Sequence, residues 1–141
     1  MPRVSLWFFA MAPIYVLIGM SFGIFMGATQ DFSLAPAHAH LNLIGWVTMA
    51  LYGTFYGLAH EASKKLAWTT FWLNNVAITI MFPSLAMVLK NGESSPFLLP
   101  LIVSEFLALA AMLCFAFSVW SVLMKSAEGS SAAAIRPSAA E

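Results

Sequence analysis

The chain has 141 residues, of which 61% are hydrophobic and only 9% are charged, whereas an average soluble domain is about 25% charged. A globule of this size exposes much of its surface, so it could not hide that much apolar side chain from water. Six Lys and Arg balance six Asp and Glu, which leaves no basic surface for a nucleic-acid backbone. Composition therefore excludes a water-soluble domain, a disordered chain and a nucleic-acid-binding protein, and it indicates a protein embedded in the lipid bilayer.

Four apolar stretches are long enough for the roughly 20 residues that a membrane-spanning helix needs. They are predicted at residues 4–28, 36–59, 66–89 and 97–124, and short polar segments separate them. After Lys125 the composition changes to Ala, Ser, Glu and Pro, which predicts a disordered cytoplasmic tail over residues 126–141. The predicted fold class is therefore all-α, an integral membrane four-helix bundle over residues 1–125.

Basic residues orient the predicted bundle, because Lys and Arg accumulate on the cytoplasmic side of a membrane. With four spans, Lys90 falls on one side, and the other side carries Arg3, Lys64, Lys65, Lys125 and Arg136. This bias predicts a multi-pass protein of the cell inner membrane with both termini in the cytoplasm. The second span then begins at the outer surface and runs inward.

The second span carries the residues most informative about function. Pro36 suits a first helical turn, which places His38 and His40 just below the outer interface. Ionisable side chains at membrane depth are costly and usually face a bundle interior, a cavity or a cofactor. Residues i and i+2 of an α-helix lie roughly 200° apart, so the two rings suit two separate sites better than one shared ion. Imidazole binds haem iron, copper and zinc, so two haems, or one haem and one copper, would fit beside this helix.

The two sides of this helix differ in character. Asn42 and Gly45 lie on the His38 side, where Gly45 leaves room for a flat group. The His40 side is apolar and would meet lipid, another helix or a haem edge. The alternative is that the rings bond neighbouring helices or sit in headgroup water, and His60, at the inner end, is interpreted as such an interfacial residue.

Glu105 lies about two turns into the fourth span, near the depth of the histidine pair. A carboxylate there needs a partner, a proton or a metal. It would accept a hydrogen bond from the free ring nitrogen of a ligating histidine, bind a metal directly or carry protons. The alternative is a neutral glutamic acid that is hydrogen-bonded between helices.

Two further patterns concern the contacts between spans. The first span carries a stripe of small residues at positions 19, 23 and 27, which favours close helix packing, with a surface for a flat ring as the alternative. On the third span, Asn74, Asn75 and Thr79 are predicted to form hydrogen bonds between helices.

The sequence HAHLNLIGWV at residues 38–47, followed by ALYG at residues 50–53, resembles small membrane proteins related to subunit I of the haem–copper oxidase and nitric oxide reductase superfamily. The specific resemblance is confined to this second span. In that superfamily a His-x-His pair near the outer end of one helix binds two redox sites on opposite faces. One histidine ligates a low-spin haem, and its neighbour ligates the haem of the catalytic centre.

The resemblance implies a fold, an assembly and a cofactor. Subunit I has twelve spans in three arcs of four helices, so this chain would be one third of that fold and a homotrimer would rebuild it. The implied cofactor is haem, of b type, at His38 and His40, with Asn42 and Gly45 beside it. One geometry pairs His38 of one protomer with His40 of the next across a haem. The other spans contain no histidine, whereas the full oxidase takes its copper ligands from other helices, so haem binding matches this chain better than oxygen reduction with proton pumping.

Three functions follow as hypotheses. The first is a haem-binding protein that carries electrons or binds O2 or NO, and any catalysis would be that of an oxidoreductase related to a terminal oxidase or nitric oxide reductase. The second is a copper- or zinc-binding membrane protein in which the histidine pairs and Glu105 cluster at an oligomer axis. The third is a structural or assembly subunit with interfacial histidines. The sequence does not identify an electron donor.

Overall fold

The structure, a computed structural model, describes residues 1–92 and 95–135, with side chains described as far as Glu128. In this part of the chain the elements are α1 (Arg3–Thr29), α2 (Ala35–His40), a π-helical segment (Leu41–Val47), α3 (Thr48–Leu58), α4 (Lys64–Asn91) and α5 (Leu98–Ile135). No strand occurs within these ranges, so the predicted all-α class is confirmed. Three helices are each long and apolar enough to cross a membrane, namely α1, α4 and α5 as far as Glu128.

The second predicted span is divided between α2, the π segment and α3, which follow one another without a gap from Ala35 to Leu58. Pro36 lies in the first turn of α2, where a residue without a backbone N–H costs nothing. At a rise of about 1.5 Å per residue the stretch is about 36 Å long, against about 30 Å for the hydrocarbon core of a bilayer.

The π segment changes which residues of this stretch share a face. The Thr48 amide donates to the Leu43 carbonyl, five residues back instead of the four of an α-helix. One extra residue in the turn rotates α2 by roughly 100° relative to α3, compared with an uninterrupted α-helix. His38, Asn42, Gly45 and Gly53 all contact α1, so one face of this stretch lies against that helix on both sides of the π segment.

Asn74 of α4 supports the π segment from outside. Its Nδ2 donates to the carbonyl oxygen of Ile44 over 3.1 Å, and the side chain is only 1% exposed. A buried carbonyl needs such a partner, above all in an apolar environment. Between α1 and α4, the Tyr15 hydroxyl donates to Asn75 Oδ1 over 2.9 Å and lies 3.4 Å from Thr79 Oγ1. The predicted hydrogen bonding between helices is therefore confirmed.

An aromatic core joins the helices at the end of the bundle that holds Arg3, Leu58 and Lys64. Phe8 is fully buried, stacked on Tyr56 at 5.8 Å between ring centroids and edge-on to Phe71 at 5.2 Å. Because Phe8 is on α1, Tyr56 on α3 and Phe71 on α4, one ring ties three helices together. The Tyr56 hydroxyl also donates to Ser118 Oγ over 2.9 Å, which attaches α5 to the same core.

The last helix is longer than predicted. Helix α5 continues to Ile135, so residues 126–135 are helical where the sequence predicts the beginning of a disordered tail. The physical reason is composition, because this segment holds several alanines and Glu128, which have high helix propensity. The remainder of the predicted tail, residues 136–141, lies outside the described residues.

Replacing Asn74 with Leu is expected to lower the free energy of unfolding by about 1–2 kcal/mol, because the Ile44 carbonyl loses its donor inside the protein. The measurement is SDS-driven unfolding of the detergent-solubilised protein. Asn91→Leu, at the exposed end of the same helix, is the control and should change stability by less than about 0.5 kcal/mol. Equal losses in the two variants would contradict the role assigned to Asn74.

Candidate cofactor site

His38 is half-buried and packs against α1. A Cβ on Gly23 of α1 would lie 3.0 Å from His38 Cε1. One turn along the chain, Asn42 Nδ2 lies 3.0 Å from His38 Nε2 and 3.4 Å from Nδ1. An amide nitrogen only donates, so the ring nitrogen of His38 that carries no proton is the acceptor for Asn42.

The other end of the Asn42 amide has no partner. Among the described residues, Asn42 Oδ1 is the one buried side-chain oxygen or nitrogen that lacks a hydrogen bond, and it contacts Gly19 of α1. Leaving a buried acceptor unsatisfied costs about 1–3 kcal/mol. His38 and Asn42 therefore form a polar pair in the interface with α1, and one additional hydrogen-bond donor would satisfy Asn42 Oδ1.

His40 has a different arrangement. Its Nδ1 lies 2.8 Å from the carbonyl oxygen of Pro36. A carbonyl can only accept, so Nδ1 carries the proton, and in a neutral ring Nε2 keeps a free lone pair. Metal-ligating histidines are commonly held in this way, by a bond from the other ring nitrogen to a backbone carbonyl. Since the side chain is half-buried, His40 presents an available ring nitrogen at the edge of the protomer.

The two rings lie on different sides of α2. His38 faces α1, and a residue two positions on is rotated by roughly 200° around an α-helix, so His40 points away from α1. Leu43, one turn after His40, is apolar and 59% exposed, which agrees with the apolar character predicted for the His40 side. The two histidines are therefore half-buried on different sides of α2, with His38 towards α1 and His40 away from it.

Gly45 provides close packing in the protomer and does not open onto a space for a flat group. A Cβ at this position would lie 2.8 Å from the Cβ of Tyr15 and 3.4 Å from Cγ1 of Ile78. Two positions of the small-residue stripe of α1 are filled in the same way, with Asn42 against Gly19 and His38 against Gly23, whereas nothing lies within 4 Å of a Cβ on Gly27. These glycines let the π segment approach α1 closely, and Tyr15 takes the room that the sequence interpretation assigned to a ligand.

Glu105 is exposed on α5, and Ile102 and Leu109, one turn before and one turn after it on the same face, are exposed apolar residues. The structure does not bring it together with the histidines of its own protomer. Within residues 1–92 and 95–128, no group of three His, Cys, Asp or Glu side chains is placed to hold a metal ion. His60 is exposed in the turn after α3, as its interpretation as an interfacial residue requires.

Sequence reasoning missed two features of this region. One is the hydrogen bond between His40 Nδ1 and the Pro36 carbonyl. The sequence pattern that could have indicated it is a histidine four residues after a proline in the first turn of a helix. The other is a groove of about 520 Å³ between α1 and α4. The sequence pattern that indicates it is the i, i+4 spacing of Trp68 and Trp72, which places two large rings on one helix face. The residues that line this groove include no histidine, so it is separate from the histidine site.

Comparisons of the chain with protein-family models, with curated proteins and with solved structures give no match. The resemblance to subunit I of the haem–copper oxidases therefore stays a prediction that rests on the residues of the second span.

Gly19→Ala is expected to destabilise the protein, because the new methyl group would overlap Asn42 Oδ1, and overpacking of this kind costs about 1–3 kcal/mol. Gly27→Ala is the matched control, since a Cβ there has nothing within 4 Å. Thermal unfolding in detergent measures both changes. If the two variants unfold at the same temperature, Gly19 is not a close-packing position.

Proposed function

We propose that the chain is a haem-binding membrane protein of the haem–copper oxidase-like kind, which carries electrons or binds a diatomic gas. The observation that carries this proposal is the hydrogen bond between His40 Nδ1 and the Pro36 carbonyl, because it leaves His40 Nε2 available to an iron atom. The sequence resemblance of the second span makes haem, of b type, the cofactor that this nitrogen ligates.

The two histidines fit a haem unequally. His40 needs no rearrangement, because its free nitrogen already lies at the protomer edge, and Leu43, one turn further on, is exposed and offers apolar surface to a macrocycle. His38 accepts a hydrogen bond from Asn42, so it becomes a ligand only when that amide moves away. We therefore assign His40 as the outward axial ligand and His38 as the second ligand, with Asn42 controlling access to it.

Bound haem would supply one-electron chemistry and an iron able to bind O2 or NO. The protein's own residues do the rest. The Pro36 carbonyl fixes the tautomer and the orientation of His40, and the bond also raises the basicity of the ligating nitrogen. The apolar face around Leu43 limits access of water to that nitrogen.

The proposal includes an assembly and a topology. The four helical stretches form a four-span bundle of the inner membrane with both termini in the cytoplasm, equivalent to one third of subunit I, and the protein is a homo-oligomer, a trimer by that resemblance. Two observations support an assembly. Only 11% of the apolar 18-residue stretch of α5 that could cross a membrane is buried within the protomer, against 33% of the corresponding stretch of α4. Glu105 is exposed on α5, where contact of a carboxylate with lipid is costly, and a neighbouring copy would cover it.

A copper- or zinc-binding protein is the second candidate. It is favoured by the outward positions of His40 and Glu105, because neighbouring copies would supply ligands that one protomer does not bring together.

One set of measurements separates the hypotheses. The purified protein is analysed for metals, by the pyridine haemochrome assay, and by visible spectra in the oxidised and the dithionite-reduced state. Iron with a Soret band supports the proposal. Copper or zinc without haem supports the second candidate, and the absence of both would make the chain a structural subunit with interfacial histidines.

His40→Ala is expected to weaken haem binding by at least about tenfold, because even the loss of a residue that only supports a metal ligand costs about 10–100-fold. His60→Ala is the control and should bind haem like the unaltered protein, since His60 is exposed after α3. Haem titration followed at the Soret band gives both affinities. Equal affinity in the His40 variant and the control would refute the ligand assignment.

Glu105→Arg is expected to dissociate the oligomer, because a longer cationic side chain would replace a carboxyl group in the proposed interface. Glu128→Arg makes the same charge change at an exposed position near the end of α5 and should leave the mass unchanged. Size-exclusion chromatography with light scattering measures the mass of each species. A monomeric unaltered protein, or a Glu105 variant of unaltered mass, would overturn the proposed interface.

A further inference from the structure

The groove between α1 and α4 has the properties of a site for one hydrocarbon chain. Its volume is about 520 Å³, and its walls are almost entirely apolar. Trp7 of α1 and Trp72 of α4 remain 49% and 61% exposed there. The apolar walls include Trp7, Met11, Trp68, Phe71, Trp72 and Val76.

One end of this groove is basic. A second cavity of about 450 Å³ lies at the start of α1 and α4, and it shares Trp7 and Trp68 with the groove as common walls. Arg3 and Lys64 also line this cavity, and no acidic residue does. Two cationic side chains, one from each helix, therefore meet at the mouth of an apolar groove.

The other end is polar and uncharged. There the Tyr15 hydroxyl donates to Asn75 Oδ1 and lies close to Thr79 Oγ1. From Arg3 to Tyr15, α1 rises by about 18 Å, whereas half of a hydrocarbon core is about 15 Å thick. The groove and its basic mouth together match the depth of a single leaflet.

We propose that this groove binds an anionic phospholipid, with one acyl chain between α1 and α4 and the phosphate between Arg3 and Lys64. Guanidinium and ammonium groups form strong charge-assisted hydrogen bonds with phosphate oxygens, and basic pockets between membrane helices recognise anionic headgroups. Tryptophan rings suit the boundary between the headgroup and the chain. A free phosphate ion would use the basic mouth but would gain nothing from the apolar walls.

The site is independent of the proposed haem site. His38 and His40 stand at the start of the second helical stretch, whereas Arg3 and Lys64 stand at the opposite end of the bundle, beside the aromatic core around Phe8. Loss of one function therefore does not entail loss of the other.

The test measures the binding of phosphatidylglycerol and of zwitterionic phosphatidylcholine to the detergent-purified full chain by native mass spectrometry, with inorganic phosphate as a third probe. The unaltered protein is expected to prefer phosphatidylglycerol by at least about tenfold, from two basic residues near the headgroup. The double variant Arg3→Gln and Lys64→Gln should lose this preference. Trp72→Ala should weaken the binding of both lipids, because it removes a groove wall.

Lys65→Gln is the matched control, since Lys65 is exposed next to Lys64 but does not line the cavity. The proposal is overturned by equal affinity for the two lipids, by a preference that survives in the double variant, by an equal loss in the Lys65 control, or by inorganic phosphate that displaces the lipid at equal concentration. Melting temperatures without added lipid verify that each variant is folded. Haem content is measured on the same samples, so a protein without haem but with the lipid preference would overturn the proposed function alone.

Discussion

The π segment that follows the two histidines depends on the hydrogen bond from Asn74 to the Ile44 carbonyl. A membrane helix has no water to satisfy its backbone, so a π turn is stable only where the freed carbonyl finds another donor. Asn74 supplies that donor from a neighbouring helix. The π turn rotates α2 relative to α3, and His38 and Asn42 lie on the face of this stretch that meets α1.

That face accommodates the side chains of His38 and Asn42 because the α1 residues opposite them are glycines, which have no side chain. Gly19 and Gly23 lie opposite Asn42 and His38, and Gly45 fits under Tyr15. Side chains larger than hydrogen at these three positions would separate the helices and expose the imidazole and the amide. Small residues thus position the polar pair, and the aromatic core around Phe8 fixes the opposite end of the same helices.

The all-α class and the approximate limits of the apolar stretches could be predicted from the sequence. A membrane-spanning helix needs a continuous apolar run of a certain length, and such a run is visible in the sequence without knowledge of the fold. The opposite directions of His38 and His40 also followed from helix geometry. The π segment could not be predicted, since it depends on Asn74, which lies 30 residues further along the chain. For the same reason the space beside Gly45 was misjudged, because only the fold shows that Tyr15 fills it. The helical continuation of α5 was not predicted, because the Ala, Ser, Glu and Pro content after Lys125 was interpreted as that of a disordered tail, although Ala and Glu also favour a helix.

The groups that remain unsatisfied indicate where this protein meets other molecules. His40 keeps a free nitrogen because its Nδ1 is already bonded to Pro36, and Glu105 is an acidic residue exposed among apolar ones. Both residues lie on helices that are partly exposed at the surface of the protomer. The uncharged polar side chains of Tyr15 and Asn74, by contrast, are buried and form hydrogen bonds within the protomer. A protein in a bilayer gains nothing from exposing a basic nitrogen and a carboxyl group to lipid. Their exposure supports the proposed cofactor and the proposed neighbouring copy, which would provide partners for these two groups from outside the protomer.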